Sequence, residues 1–204
     1  MTGPARILLV TGSTRSGSTN TAALRTVQAM AAAPETAAPG TTAPATTAAP
    51  QTAAVTAVLY EEMAGLPAFN PDDDHEPLPT AVARLRQEIA AADAVVFCTP
   101  EYAGGLPGSF KNLLDWTVGG GEIYRKPVAW INVAAEGRGN GAQESLAQVL
   151  GYVGGVPIEA ACRRITVLAA AVGPDGLVAD PGFRSGAAGV LRSILGHLSA
   201  GQGG

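Results

Sequence analysis

The sequence predicts an α/β chain built on a parallel sheet of five strands, with helices covering both faces. Two patterns lead there. Short runs rich in Val, Ile and Leu recur at residues 6–11, 55–60, 94–99, 127–134 and, less clearly, 164–172. Such near-continuous apolar runs are what strands buried on both faces require. Amphipathic stretches separate them, so strands alternate with helices as in a doubly wound sheet. At 204 residues the chain fits one domain spanning 1–204, since domains of ~100–200 residues bury a sizeable core.

The segment Met1 to Arg6 carries one basic residue and runs straight into Ile7-Leu8-Leu9-Val10-Thr11. That run is too short for a signal-peptide core and reads as the first strand. Helices are expected at 18–33, 79–91, 107–117, 141–153 and 185–199. Ser18 or Thr19 suits the first cap, while Pro79 and Pro107 suit the first helical position, where a missing N–H does no harm. In the third helix Leu106, Phe110, Leu113 and Leu114 recur at helical spacing and are expected to face the core. Trp116 and Trp130 read as packing residues.

Residues 31–53 break the pattern. They are almost entirely Ala, Thr and Pro, with prolines at 34, 39, 44 and 50. Each proline removes a donor and stops a helix, and little large apolar surface is present to offset the entropy of ordering the tract. A flexible insertion between the first helix and the second strand is expected.

Composition excludes several function classes. No stretch reaches the ~18 apolar residues of a membrane span. A net charge of -4, with 13 scattered Lys and Arg, argues against a nucleic-acid partner, which needs a clustered basic face. Cys98 and Cys162 have neither metal-ligand nor disulfide spacing, which points to a reducing, cytoplasmic setting. Cys98 lies in an apolar run and reads as core, with nothing nearby to lower its pKa. His75 and His197 sit in an acidic loop and the last helix, so no metal cluster or Ser-His-Asp arrangement is expected. The run Asp72-Asp73-Asp74 reads as a solvated loop.

The first strand ends in Thr11-Gly12-Ser13-Thr14-Arg15-Ser16-Gly17-Ser18-Thr19-Asn20, and a helix follows. Glycines allow a tight turn, amides at a helix start carry partial positive charge, and the hydroxyls of Ser13, Thr14 and Ser18 add donors. The spacing approaches a nucleoside-triphosphate loop, but Ser18 stands where its lysine belongs. A monophosphate is therefore the expected ligand. In this topology the first and third strands form the switch point at which ligands bind. The segment after the third strand, Pro100-Glu101-Tyr102-Ala103-Gly104-Gly105-Leu106-Pro107, exposes main-chain amides and an aromatic surface suited to a flat heteroaromatic ring.

The loop from Gly12 to Asn20 and the segment from Thr99 to Trp116 resemble the NADPH-dependent flavin mononucleotide (FMN) reductase family, which also includes quinone, chromate and azo-dye reductases. The specific part is the Pro-Glu-Tyr opening followed by Lys111-Asn112-x-x-Asp115-Trp116. The resemblance runs from Arg6 to about Ile158, outside the insertion. It implies a flavodoxin-like fold of strand order 2-1-3-4-5 and an FMN enzyme that takes hydride from NADPH or NADH and passes it to a small acceptor. It also implies that Ser13, Thr14, Arg15, Ser18, Thr19 and Asn20 hold the FMN phosphate. Pro100, Glu101, Tyr102, Ala103 and Gly104 would line the isoalloxazine ring, chiefly through main-chain atoms. The family commonly has Asn-Gly-Ser after the tyrosine, where this chain has Ala103-Gly104-Gly105, so a side-chain amide and a hydroxyl are missing.

The loop Ala134 to Gly141 resembles the family's second flavin-edge loop, placing Gly137 and Arg138 at the pyrimidine edge. Its Gly137-x-Gly139-x-x-Ala142 spacing imitates a dinucleotide fingerprint, but that motif belongs on a first strand. Residues Leu66 to Pro77 resemble the segment that overhangs the family's active site, with Phe69 and Asn70 toward a substrate or a neighbouring subunit. A homodimer or tetramer, with helix 108–116 near the interface, is implied as well. A flavodoxin-like carrier of single electrons, which does not oxidise NAD(P)H, is the rival function.

Overall fold

The computed structural model describes residues 3–33 and 55–201. Most of the Ala/Thr/Pro insertion, 34–53, lies outside the described residues; its first three positions close the first helix. Four longer strands, β1 (Ala5–Thr11), β2 (Val55–Tyr60), β3 (Ala94–Cys98) and β4 (Pro127–Asn132), form a parallel sheet with β5 (Val156–Pro157) in the order β2-β1-β3-β4-β5. This is the expected flavodoxin-like order.

Alternation along the central strands builds two cores. Ile7 and Leu9 of β1, with Val96 and Cys98 of β3, face α1 (Thr19–Ala32) and α5 (Pro181–Ala200). Leu8 and Val10, with Val95 and Phe97, face α2 (Thr80–Ala90), α3 (Gly108–Asp115) and α4 (Asn140–Tyr152). Successive side chains point to opposite faces, so one five-residue apolar run feeds both layers. Phe110, Leu113 and Leu114 are fully buried as their spacing required, and Leu106 packs beside them half-buried. Trp116 is fully buried and Trp130 half-buried against the same core.

Three expectations need correction. The fifth strand is not 164–172: its place beside β4 is divided between β5 and a second two-residue strand, β6 (Arg163–Arg164). A 3-10 turn at Glu159–Ala161 separates them. Beyond β6 only Ile165 and Val167 still donate to the Asn132 and Val133 carbonyls. The chain then turns at Ala169–Ala171, where small side chains offer little apolar surface to hold a strand. The last helix starts four residues early, because Asp180 caps it by accepting from the Phe183 amide at 2.7 Å and Pro181 takes its first turn. Finally, Pro79 and Pro107 stand at the cap positions of α2 and α3, one residue before the helices begin.

Candidate functional site

The carboxyl ends of β1 and β3 meet through Gly12. Its amide donates to the Cys98 carbonyl at 2.8 Å, extending the ladder one residue past the strand. A Cβ at Gly12 would overlap the Thr99 side chain and lie 3.0 Å from Cγ of Phe110. Only glycine lets the two loops emerge side by side, and overpacking here would cost ~1–3 kcal/mol.

Past Gly12 the chain opens into a nest of donors. The Ser13 amide donates to Thr11 Oγ1 and the Arg15 amide to Ser13 Oγ, both at 3.3 Å. The amides of Thr14, Ser16, Gly17, Thr19 and Asn20 have no partner among the described residues. Gly17 turns the chain with φ +68°, a conformation glycine adopts without strain. Ser18 occupies the cap of α1 yet its hydroxyl makes no capping bond, although the residue is only 4% exposed. The Ser18 side chain lines the cleft instead, and a hydroxyl left free beside open amides at a helix start is an anion site.

Of the other predicted residues here, Thr14 and Arg15 are exposed and Thr19 half-buried. Arg15 folds back, its Nη2 donating to the Gly17 carbonyl at 3.1 Å, and so braces the loop. Asn20 is 7% exposed and turns inward: its Oδ1 accepts from the Cys98 thiol at 3.3 Å. Burial pushes that thiol above its ordinary pKa, in keeping with its reading as core. The nest opens onto a cleft of about 370 Å³ lined by Ser13, Thr14, Arg15 and Ser18 among others.

After β3, Tyr102 and Gly105 exchange two backbone hydrogen bonds of 3.0 Å. Between them Ala103 (φ +50°) and Gly104 (φ +79°) are both left-handed, as a type I′ turn demands. Tyr102 is 55% exposed at its base. The Glu101 side chain does something the sequence did not reveal. Its Oε2 accepts from the Ala142 amide at 3.1 Å, supplying a carboxylate to the start of α4. The cap of that helix, Gly139, has no side chain to offer. A Cβ at Gly141 would overlap the Gly104 carbonyl, so the third loop is docked directly on the second.

Gly137 (φ +76°) and Arg138 are exposed on that third loop. Two residues absent from the sequence reading shape it. Arg164 donates through Nη1 to the carbonyls of Ala134, Ala135 and Arg138 at 3.1, 3.2 and 2.7 Å. Through Nη2 it reaches Asn140 Oδ1 at 2.6 Å. Buried Asn132 donates to the Gly139 carbonyl and Gln143 Oε1, and accepts from the Ala134 amide at 3.0 Å. Asn132 closes an apolar strand and Arg164 sits in an Arg-Arg pair 30 residues from Ala134. Neither carries a periodic or spacing signal.

The motif helix α3 holds the overhanging segment. Asn112 Nδ2 and Trp116 Nε1 both donate to the Pro67 carbonyl, at 2.8 and 2.9 Å, and Asn112 Oδ1 accepts from the Phe69 amide at 2.7 Å. The Phe69 ring packs edge-on against Trp116 with centroids 5.0 Å apart. Asn70 caps a short turn by accepting from the Asp72 amide. The solvated reading of the acidic run holds for Asp72 and Asp73 but not for Asp74. The latter pairs with Arg86 at 2.6 Å, and Glu122 approaches the same guanidinium at 3.8 Å, all three largely buried.

The donor set of the nest, open amides with the free Ser18 hydroxyl, fits a phosphomonoester. The fit extends to FMN because two further loops, rich in main-chain donors, flank the same strand ends. Among the described residues no group of His, Cys, Asp and Glu is arranged to hold a metal.

The chain is 36% identical over 115 residues to the NADPH azoreductase of Bacillus sp. (strain OY1-2), covering 54% of this chain and 62% of that protein. It is 35% identical over 96 residues to the quinone reductase of Pseudomonas putida, covering 45% and 52%. It thus spans little more than half the length of these curated relatives. Among solved structures, FerB, the flavoenzyme NAD(P)H:(acceptor) oxidoreductase of Paracoccus denitrificans, superposes with a TM-score of 0.74 at 25% identity over 96% of this chain and 98% of FerB. The profile described as NADPH-dependent FMN reductase matches residues 5–164, the stretch that carries the nest, the Tyr102 turn, the Arg164-braced loop and the motif helix, and the chain belongs to that family.

Proposed function

We propose that the chain is an NAD(P)H-dependent FMN oxidoreductase acting on a small acceptor: a quinone, free flavin, an azo dye or a metal oxyanion. The observation that carries this reading is the nest of unpartnered amides with the unbonded Ser18 hydroxyl lining the cleft, set beside the Tyr102–Gly105 turn by Gly12. The names of the relatives, an azoreductase and a quinone reductase, support the acceptor class.

In this reading Ser13, Thr14, Arg15, Ser18 and Thr19 hold the FMN phosphate through amides and hydroxyls, and Asn20 supports the loop from behind. Pro100 to Gly104 present main-chain groups to the ring, with Gly137 and Arg138 at its pyrimidine edge. Bound FMN supplies hydride acceptance from NADPH or NADH and delivery to the acceptor. The protein's part is positional and electrostatic. Arg164 and Asn132 fix the third loop, Glu101 ties the second loop to it, and Arg138 adds positive charge. No side chain is assigned as acid or base. The cytoplasmic setting is supported by two free thiols, and association as a homodimer or tetramer by exposed Tyr102 and Val118 flanking α3.

The test is anaerobic mixing of the FMN-loaded protein with NADPH and with NADH while flavin absorbance is followed. Rapid bleaching, reversed by added quinone or azo dye, is the expected result. Retention of FMN without bleaching by either donor would identify a carrier of single electrons, and failure to retain FMN would remove the proposal.

A further inference from the structure

The nest fills only one end of its cleft. The remainder runs away from β3, between the first half of α1 and the carboxyl end of β2, and its walls include Thr21, Arg25, Glu61, Met63, Val172 and Gly176. At about 370 Å³ the whole has the size of a small-molecule site, well beyond one phosphate group.

The chemistry of the outer walls is specific. Thr21 and Arg25 stand one helical turn apart and so share a face of α1. Glu61 is the first residue after β2, and its Oε1 accepts from Arg25 Nη2 at 2.6 Å. Both side chains are about half exposed. Each keeps capacity to spare: a guanidinium offers five N–H donors and a carboxylate accepts at both oxygens, while this contact uses one of each. Met63 and Val172 supply apolar wall. A carboxylate just past the second strand, an arginine beside it and a phosphate nest at the first strand's end together match what an adenosine phosphate asks for: acceptors for ribose hydroxyls, a cation for phosphate, an apolar slot for the base.

We infer that this outer cleft binds an adenosine phosphate alongside the flavin phosphate, with Arg25 on phosphate and Glu61 on ribose. The inference rests on the nest holding FMN. The adenosine phosphate has two sources, the adenylate half of flavin adenine dinucleotide (FAD) continuing from the nest, or the adenine end of NADPH approaching as donor.

The experiment is calorimetric titration of the FMN-loaded protein with 5′-AMP and with 2′,5′-ADP. One-to-one binding without release of FMN is expected. Arg25→Met should weaken it by about tenfold, the ~1.4 kcal/mol worth of one charged contact, with FMN affinity and melting temperature kept. Glu61→Gln, which preserves shape, should weaken it too. If FAD binds more tightly than FMN and Arg25→Met erases the difference, the source is the flavin; if 2′,5′-ADP competes with NADPH in turnover, the source is the donor. No binding to the loaded protein, displacement of FMN one for one, or indifference to both substitutions overturns the inference. Should FMN itself not bind, the preceding reading fails separately, and the same titrations on the flavin-free protein and on Arg25→Met still decide this one.

Discussion

The turn after β3 carries a backbone cost that a single substitution should remove. Ala103 has φ +50°, is solvent-exposed, and precedes Gly104 at φ +79°. An L-residue other than glycine in the left-handed region costs roughly 1–2 kcal/mol, whereas Asn visits it with much less penalty. Asn-Gly is moreover the favoured pair for this turn. Ala103→Asn should therefore stabilise the fold by about 1 kcal/mol, which raises the melting temperature by ~2–4 °C in a chain of this size. Ala103→Gly relieves the same strain but frees the unfolded chain by ~0.4–1 kcal/mol, leaving little net gain. Ala103→Val, β-branched, should melt below the parent. Circular dichroism melts of the four proteins, each without FMN and with FMN in saturating excess, separate the turn's own energy from any change in ligand affinity. The order Asn, Gly, Ala, Val is the expected one. A melt of Ala103→Asn at or below the parent, or of Gly above Asn, would refute the strain argument.

Three further outcomes follow from the site and the core. Arg164→Ala removes four hydrogen bonds from the Ala134–Asn140 loop. Because that region is exposed and water replaces them, the loss should be about 1–2 kcal/mol. A fluorescence titration should read it as roughly tenfold weaker FMN binding, with Lys restoring only part of it since an ammonium cannot fork across several carbonyls. The half-buried Cys162 thiol is pushed up to about 11, chiefly by burial, and the Tyr60 phenol to about 12 for the same reason, with Glu62 adding to it. Each folded value lies above the unfolded one, so these groups favour the fold fully below pH 9 and 10.0, their ordinary values, and lose that contribution as pH rises toward 11 and 12. Urea midpoints should fall through that window. Iodoacetamide at neutral pH should label Cys98 and Cys162 slowly in the folded protein and quickly in urea; rapid labelling of the folded chain would contradict the protection.

How much of this could be read from the residues depends on range. β1 to β4 were legible because strands buried on both faces must be apolar almost without break, and β2 agrees with its expected bounds of 55–60. The fifth strand was not, since Val156-Pro157 and Arg163-Arg164 are too short to make a run and Ile165 to Val172 imitate one. The nest was legible because a glycine-rich turn between strand and helix has few other uses. Arg164 and the Glu101 cap on α4 were not, because a partner 30 or 41 residues away in sequence leaves no local trace. Asp74 misled for the opposite reason: its neighbours Asp72 and Asp73 are solvated, and only the fold brings Arg86 to it. Ala103 showed as a departure from the family's habit, but why asparagine belongs there became visible only with the backbone angle.

The division of the outermost strand has a consequence for the sheet's border on that side. A neighbouring chain seeking to extend the sheet would find two hydrogen-bonding stretches of two residues each, out of line across a turn. Pro157 withholds an amide in the first and two arginines carry charge in the second. Short, kinked, charged margins of this kind are how β-proteins keep from growing edge to edge into aggregates.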